Sequence, residues 1–140
     1  MPINDIQDAI IEEMTPIKEW FDKYEYLISL GRQLKPIDEG IRSERYQIQG
    51  CQSQVWISAE IEKDILHFSA DSDSLITRGI ISLLLRVLDR QPPVEVMDAD
   101  LYFIREIGLS SNLSPSRANG LSLIIQQMKR YGEELSRFQS

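Results

Sequence analysis

The sequence predicts an α+β fold in which a short three-stranded antiparallel sheet packs against several helices. Three observations carry this. Residues 55–61 and 66–70 alternate apolar and polar positions on either side of a turn at Glu62-Lys63-Asp64, which is the pattern of a hairpin. The stretches before and after repeat apolar residues every three or four positions, which is the pattern of helices. Strands clustered in mid-chain with helices at both ends is an α+β order. A chain of 140 residues is expected to form one domain, residues 1–140. At that length one core can form without disulfides or metal.

The elements follow in order. Asn4, with Gln7 in capping-box spacing, is expected to cap a short helix over about 5–14, whose apolar side is Ile6, Ala9, Ile10 and Met14. Thr15-Pro16 is expected to cap the next helix, with proline in its first turn. Trp20, Tyr24, Leu27, Ile28 and Leu30 or Leu34 form its apolar face, and Gly31 or the pre-proline Lys35 ends it. Pro36 to Ser43 reads as loop and Arg45 to Gln49 as a first strand. Val55, Ile57, Ala59 and Ile61 then share one face of a strand; Leu66, Phe68 and Ala70 alternate in the return strand. Asp71-Ser72-Asp73-Ser74 signals a helix start, with Asp71 and Asp73 read most simply as cap residues. The helix that follows carries Leu75, Ile76, Ile80, Leu83, Leu84, Val87 and Leu88. Gly79 inside it costs about 1 kcal/mol against alanine, so another backbone, such as the sheet, is expected close by. Pro92-Pro93 ends that region, residues 94–108 hold a short helix or two, and Ser114-Pro115 caps a last helix buried through Leu121, Ile124, Ile125, Met128 and Leu135.

Composition narrows the function. The chain is 42% hydrophobic and 26% charged, as in ordinary globular proteins, and its net charge is −7. Acidity of that size disfavours a nucleic-acid partner, because phosphate contacts need clustered Lys and Arg. One cysteine cannot form an internal disulfide, so nothing points to an oxidising compartment. The amino terminus has no basic segment followed by an apolar core, and no apolar run approaches membrane-spanning length. A cytoplasmic protein without a membrane partner is the expectation.

The chemistry concentrates in Gly50-Cys51-Gln52-Ser53-Gln54-Val55-Trp56. A lone cysteine is more often a small buried hydrophobe than a reactive group. Here a glycine precedes it and small or amide side chains follow, outside the apolar alternation, which places it on a loop that can meet another molecule. A metal site lacks ligands, since the chain has one Cys and one His and neither Cys-x-x-Cys nor His-Glu-x-x-His. A Cys51–His67 nucleophilic pair needs a histidine that the strand pattern reads as structural. An exposed thiol could also sense peroxide, although no resolving cysteine accompanies it. Arg42 and Arg45, the cations nearest the loop on its amino-terminal side, read as solvated surface.

The same seven residues resemble the cysteine loop of the SufE-type sulfur acceptors, including the related CsdE branch. Asp71-Ser72-Asp73, Gly79, Pro115-Ser116-Arg117 and Gly120-Leu121 follow in the family's order, and the resemblance spans nearly the whole chain. It implies an architecture shared with iron–sulfur scaffold proteins of the IscU type. It implies a carrier, not a free-standing enzyme: Cys51 takes persulfide sulfur from a cysteine desulfurase of the SufS or CsdA type, stimulates that enzyme and relays sulfur to an iron–sulfur assembly scaffold. The carrier itself then needs no cofactor, because pyridoxal phosphate belongs to the partner. The resemblance places Gly50, Gln52, Ser53 and Gln54 in shaping the loop, puts Asp73 near it and the partner surface, and gives Arg117 a part in docking or in stabilising a thiolate. A monomer or weak homodimer is expected. The alternatives are a thiol enzyme or peroxide sensor using Cys51, and an interaction module with an inert cysteine.

Overall fold

The computed structural model describes residues 1–138. Helix α1, Ile3–Met14, buries Ile3, Ile6, Ile10 and Met14. Pro2, not Asn4, precedes it at the cap position. Asn4 sits in the first turn, where its Oδ1 accepts from Gln7 Nε2 at 3.1 Å. Gln7 is wholly buried. It also donates to the Asp100 carbonyl at 3.0 Å and accepts from Phe103 N–H at 3.1 Å, so one amide seals α1 to a distant loop.

Thr15-Pro16 does not start the second helix. Thr15 Oγ1 donates to the Ile11 carbonyl one turn back, at 2.7 Å, and so closes α1. A turn follows, and α2 runs over Trp20–Gln33, ending just before the pre-proline Lys35. Gly31 does not end α2; it packs against helix α3, Leu75–Leu88. A Cβ on Gly79 would run into the Leu27 carbonyl, and a Cβ on Gly31 into the Leu75 carbonyl. The close approach expected at Gly79 is therefore to α2, not to the sheet, and two glycines set the distance between these helices.

The sheet has two strands, not three. β1, Val55–Glu62, pairs antiparallel with β2, Ile65–Ser72, from Val55↔Ser72 to Glu62↔Ile65. Lys63 and Asp64 join them with φ of 54° and 63°, a two-residue turn of the kind that matches strand twist. The expected strand over Arg45–Gln49 reduces to one bridge, Gln47↔Trp56. The bonds Tyr46 N–H to Ser43 O and Gln47 N–H to Glu44 O hold its start in turns, and Gly50 bends its end away. Two bonds still lie along the outer side of β1: Ile48 N–H to Val55 O and Ile57 N–H to Tyr46 O, both 2.9 Å. On the outer side of β2, Arg90 N–H donates to Leu66 O, Leu66 N–H to Gln91 O, and Phe68 N–H to Asp89 Oδ1 at 2.8 Å.

Short helices α4, Pro93–Asp98, α5, Phe103–Glu106, and α6, Leu109–Asn112, fill residues 93–112. Pro93 opens α4 at its first position, so Pro92-Pro93 begins a helix as well as separating it from α3. α7, Pro115–Leu135, is capped as expected: Ser114 Oγ accepts from Arg117 N–H. Tyr131 of α7 donates to the Ile57 carbonyl at 2.9 Å and meets Phe68 edge-on, which seats α7 across the sheet. Val55, Ile57, Leu66, Phe68 and Ala70 of the sheet join Ile80, Leu84, Ile124 and Met128 of the helices in one apolar core. Among the described residues, no helix is long and apolar enough to cross a membrane.

Candidate functional site

The hairpin sets the site's position. Ile48 and Val55 are bonded across its base, so residues 49–54 must loop out of the sheet. Gly50 makes the turn with φ +92°, a conformation that disfavours any residue with a Cβ. Gln54 pins the far side. Its N–H donates to Asp73 Oδ1 at 3.0 Å, and its carbonyl accepts from Ser72 Oγ at 2.7 Å and Asp73 N–H at 3.2 Å. Asp73 is therefore a brace for the loop. Neither it nor Asp71 caps α3: Ser74 does, through its Oγ and Thr77 N–H. The acidic pair is spent elsewhere because β2 continues through Ser72, later than the cap pattern implied.

Asp71 is fully buried at the base of the loop. Its Oδ2 pairs with Arg42 at 2.5 Å, its Oδ1 with Arg78 at 3.3 Å, and Oδ1 also accepts from Ser72 N–H at 2.8 Å. Arg78 further donates to the Gly31 and Leu34 carbonyls at the end of α2. Arg42 lies over the Trp56 ring, 5.2 Å from its centroid. Arg42 thus lies at the surface, as expected, and is also tied into the fold through Asp71 and Trp56. The sequence hides this because its partner Asp71 is 29 positions away. Arg45 stacks on Tyr46 at the surface.

Cys51 is half-buried. It lines a cavity of about 30 Å³, walled by Val55 and by Thr77 and Ile80 of α3, with Gly120, Leu121 and Ile124 of α7 opposite. That space is enough to admit a water-sized group, which needs roughly 10–15 Å³. Gln52, Ser53, Ser116 and Arg117 also line it. Arg117 Nη1 donates to Tyr24 Oη at 3.4 Å. Burial pushes the Cys51 thiol above its ordinary range. Burial is what moves it, so the resting site shields the sulfur more than it activates it.

The structure brings Gly50, Cys51, Gln52, Ser53, Gln54, Asp73 and Arg117 into one locality. It does not bring His67 there. His67 faces Glu60 in the hairpin, five residues along β2 from Ser72, roughly 17 Å at strand rise. A Cys51–His67 pair is therefore ruled out by distance. Ile80, Leu121 and Ile124 were legible as core but not as walls of this cavity, because periodicity does not say which loop a core face meets.

The family model described as "SufE: Fe-S metabolism associated domain" matches residues 8–132. The chain belongs to the SufE family. An uncharacterized SufE-like protein of Rhizobium etli is 35% identical over 127 residues, which covers 87% of this chain and 86% of the relative. Another, from Rhizobium meliloti, is 35% identical over 131 residues, covering 90% and 94%. A solution structure of a hypothetical protein from Thermus thermophilus has the same fold, with a TM-score of 0.74 at 17% identity over 92% of this chain and 94% of that one. The SufE family is tied by its description to iron–sulfur metabolism.

The raised thiol pKa has a direct consequence. Folded protein should react with a bulky alkylating reagent more slowly than unfolded chain at neutral pH, and its rate should rise only at higher pH, because less of the sulfur is thiolate at any given pH. Rate against pH for both forms checks this. A folded profile coincident with the unfolded one would remove the shielding.

Proposed function

We propose that this protein is a sulfur acceptor and carrier. Cys51 takes the outer sulfur of a persulfide on a pyridoxal-phosphate cysteine desulfurase, the desulfurase is thereby stimulated, and the sulfur passes on to an iron–sulfur scaffold. In the transfer, the Cys51 thiolate attacks the donor's outer sulfur. A new S–S bond forms at Cys51, the donor S–S bond breaks, and the donor leaves as a thiolate. Nothing is oxidised or reduced overall. The protein acts stoichiometrically, and the cofactor is the partner's.

The observation that carries this reading is the placement of the family's loop cysteine beside a small, partly open cavity of about 30 Å³ whose lining holds no carboxylate, histidine or lysine, with no metal ligand set among the described residues. A carrier needs a shelter for reactive sulfur and no catalytic constellation. The shelter also requires the loop to open, since a shielded thiol cannot enter another active site. Gly50 is the hinge, and the Gln54–Asp73 bonds are the latch. A peroxide sensor is disfavoured by the same site, because sensing needs a low-pKa, accessible thiolate.

Mass spectrometry after incubation with desulfurase and cysteine tests the proposal. One added sulfur on Cys51 is expected. No adduct, or sulfenic acid with dilute peroxide in its place, would sink it. Arg117→Ala should slow loading from desulfurase by roughly tenfold, the effect of losing about 1.4 kcal/mol at the interface. It should leave loading from inorganic polysulfide unchanged. Equal slowing with both donors would instead make Arg117 part of the sulfur shelter.

A further inference from the structure

Among the described residues the α-helices contain four glycines, and three of them are forced. At Gly31 and Gly79 a Cβ would collide with the backbone of the neighbouring helix, and at Gly132 it would come within 2.9 Å of the Pro93 carbonyl. Gly120 is different. It lies well inside α7, where glycine weakens a helix relative to alanine. Its φ is not in the left-handed region. Beyond its own helix turn, a Cβ there would meet one thing within 4 Å among the described residues: Cys51 Sγ, at an ordinary contact distance of 3.8 Å. Packing of the thiol form therefore has room for alanine at this position.

We infer that Gly120 is a positioning residue that keeps open the space in which the outer sulfur of a Cys51 persulfide lies. This rests on the acceptor reading above. The cavity that Cys51 and Gly120 share, about 30 Å³, exceeds the roughly 10–15 Å³ that a water-sized group needs. An S–S bond is about 2.05 Å long. An outer sulfur on Cys51 aimed into the gap would therefore stand far inside contact distance of an alanine methyl. The thiol tolerates the methyl and the persulfide does not. The missing side chain thus selects for the loaded state, and the helix is weaker for it. Ile80, on the α3 side of the same cavity, bounds the space from across it.

The test loads wild type, Gly120→Ala and Gly40→Ala from inorganic polysulfide, follows Cys51 by mass spectrometry, and then challenges the loaded protein with a small thiol. Gly40 is the control, since a Cβ there meets nothing within 4 Å. Gly120→Ala should melt at a higher temperature than wild type, reach lower sulfur occupancy at equal polysulfide, and lose its sulfur at least about tenfold faster. Adding Ile80→Val, which removes a methyl from the facing wall, should restore retention. Gly40→Ala should load and hold sulfur as wild type does. Wild-type loading and retention in Gly120→Ala would overturn the inference. So would a fall in its melting temperature, which would make glycine a packing requirement. So would normal loading from polysulfide with failure confined to desulfurase, which would make Gly120 a docking residue. Absence of sulfur on the wild type with either donor is the separate outcome that removes the acceptor reading, and this inference with it.

Discussion

Cys51→Ser is expected to abolish sulfur acceptance and leave the fold intact. A serine hydroxyl is a far weaker nucleophile than a thiol, and no neighbouring base stands ready to deprotonate it. The chain has no other cysteine to take over. The substitution changes the volume little, and residue 51 sits on a loop whose ends are held by backbone bonds that do not involve its side chain. A half-buried hydroxyl here should cost about 1 kcal/mol, or a few degrees in melting temperature. Protein-bound sulfane sulfur should fall below detection in the presence of desulfurase and cysteine. Any sulfane sulfur that still accumulates on the variant means that the acceptor is elsewhere or that transfer is not covalent.

Gly79→Ala should give the largest loss of stability of any glycine-to-alanine change in α3 or α7. The added methyl would occupy the space of the Leu27 carbonyl, and Leu27 is itself fully buried. Nothing flexible can yield, because the methyl is fixed to one helix backbone and meets the backbone of the other. The two helices must separate, which also loosens the Arg78 bonds to the end of α2. A cost of about 3 kcal/mol is expected, which lowers the melting temperature by roughly 10 °C. The same substitution at Gly120 should act with opposite sign. Thermal melts of the two variants side by side check the contrast, and a neutral Gly79→Ala would mean that α2 and α3 can slide apart freely.

Much of this was legible because it is local. The alternation from Val55 and from Leu66, the turn between them and the Ser114-Pro115 cap depend on neighbours in the chain, and each stands where the pattern placed it. The glycine-flanked cysteine likewise announced a loop. What stayed hidden depends on partners far away. Arg42 read as surface, which it is, but its ties to Asp71 and Trp56 did not show. Asp73 looked like a cap until Gln54 came across to it. Gly79 signalled a close approach, but no periodicity names the approaching chain. Thr15-Pro16 misled for a different reason: threonine before proline can end one helix as well as begin another, and the nearer acceptor, Ile11 O, decided it. The expected first strand failed on competition, since turns at Ser43 and Glu44 took the bonds that a ladder needed.

The two short segments that lie along the outer sides of the hairpin, around Gln47 and at residues 89–91, add little to the sheet as such. Their effect is on what the protein does in a crowded solution. A two-stranded ribbon has an open row of amides and carbonyls on each flank, and such rows recruit strands from other chains into aggregates. Here each flank is occupied over part of its length by an irregular segment, along Val55–Ile57 on one side and Leu66–Phe68 on the other. At the Arg90 side a left-handed residue, φ 62°, breaks the repeat. If the loop opens to a partner as proposed, it does so from a sheet whose flanks are partly filled, so exposing the cysteine leaves less backbone for self-association.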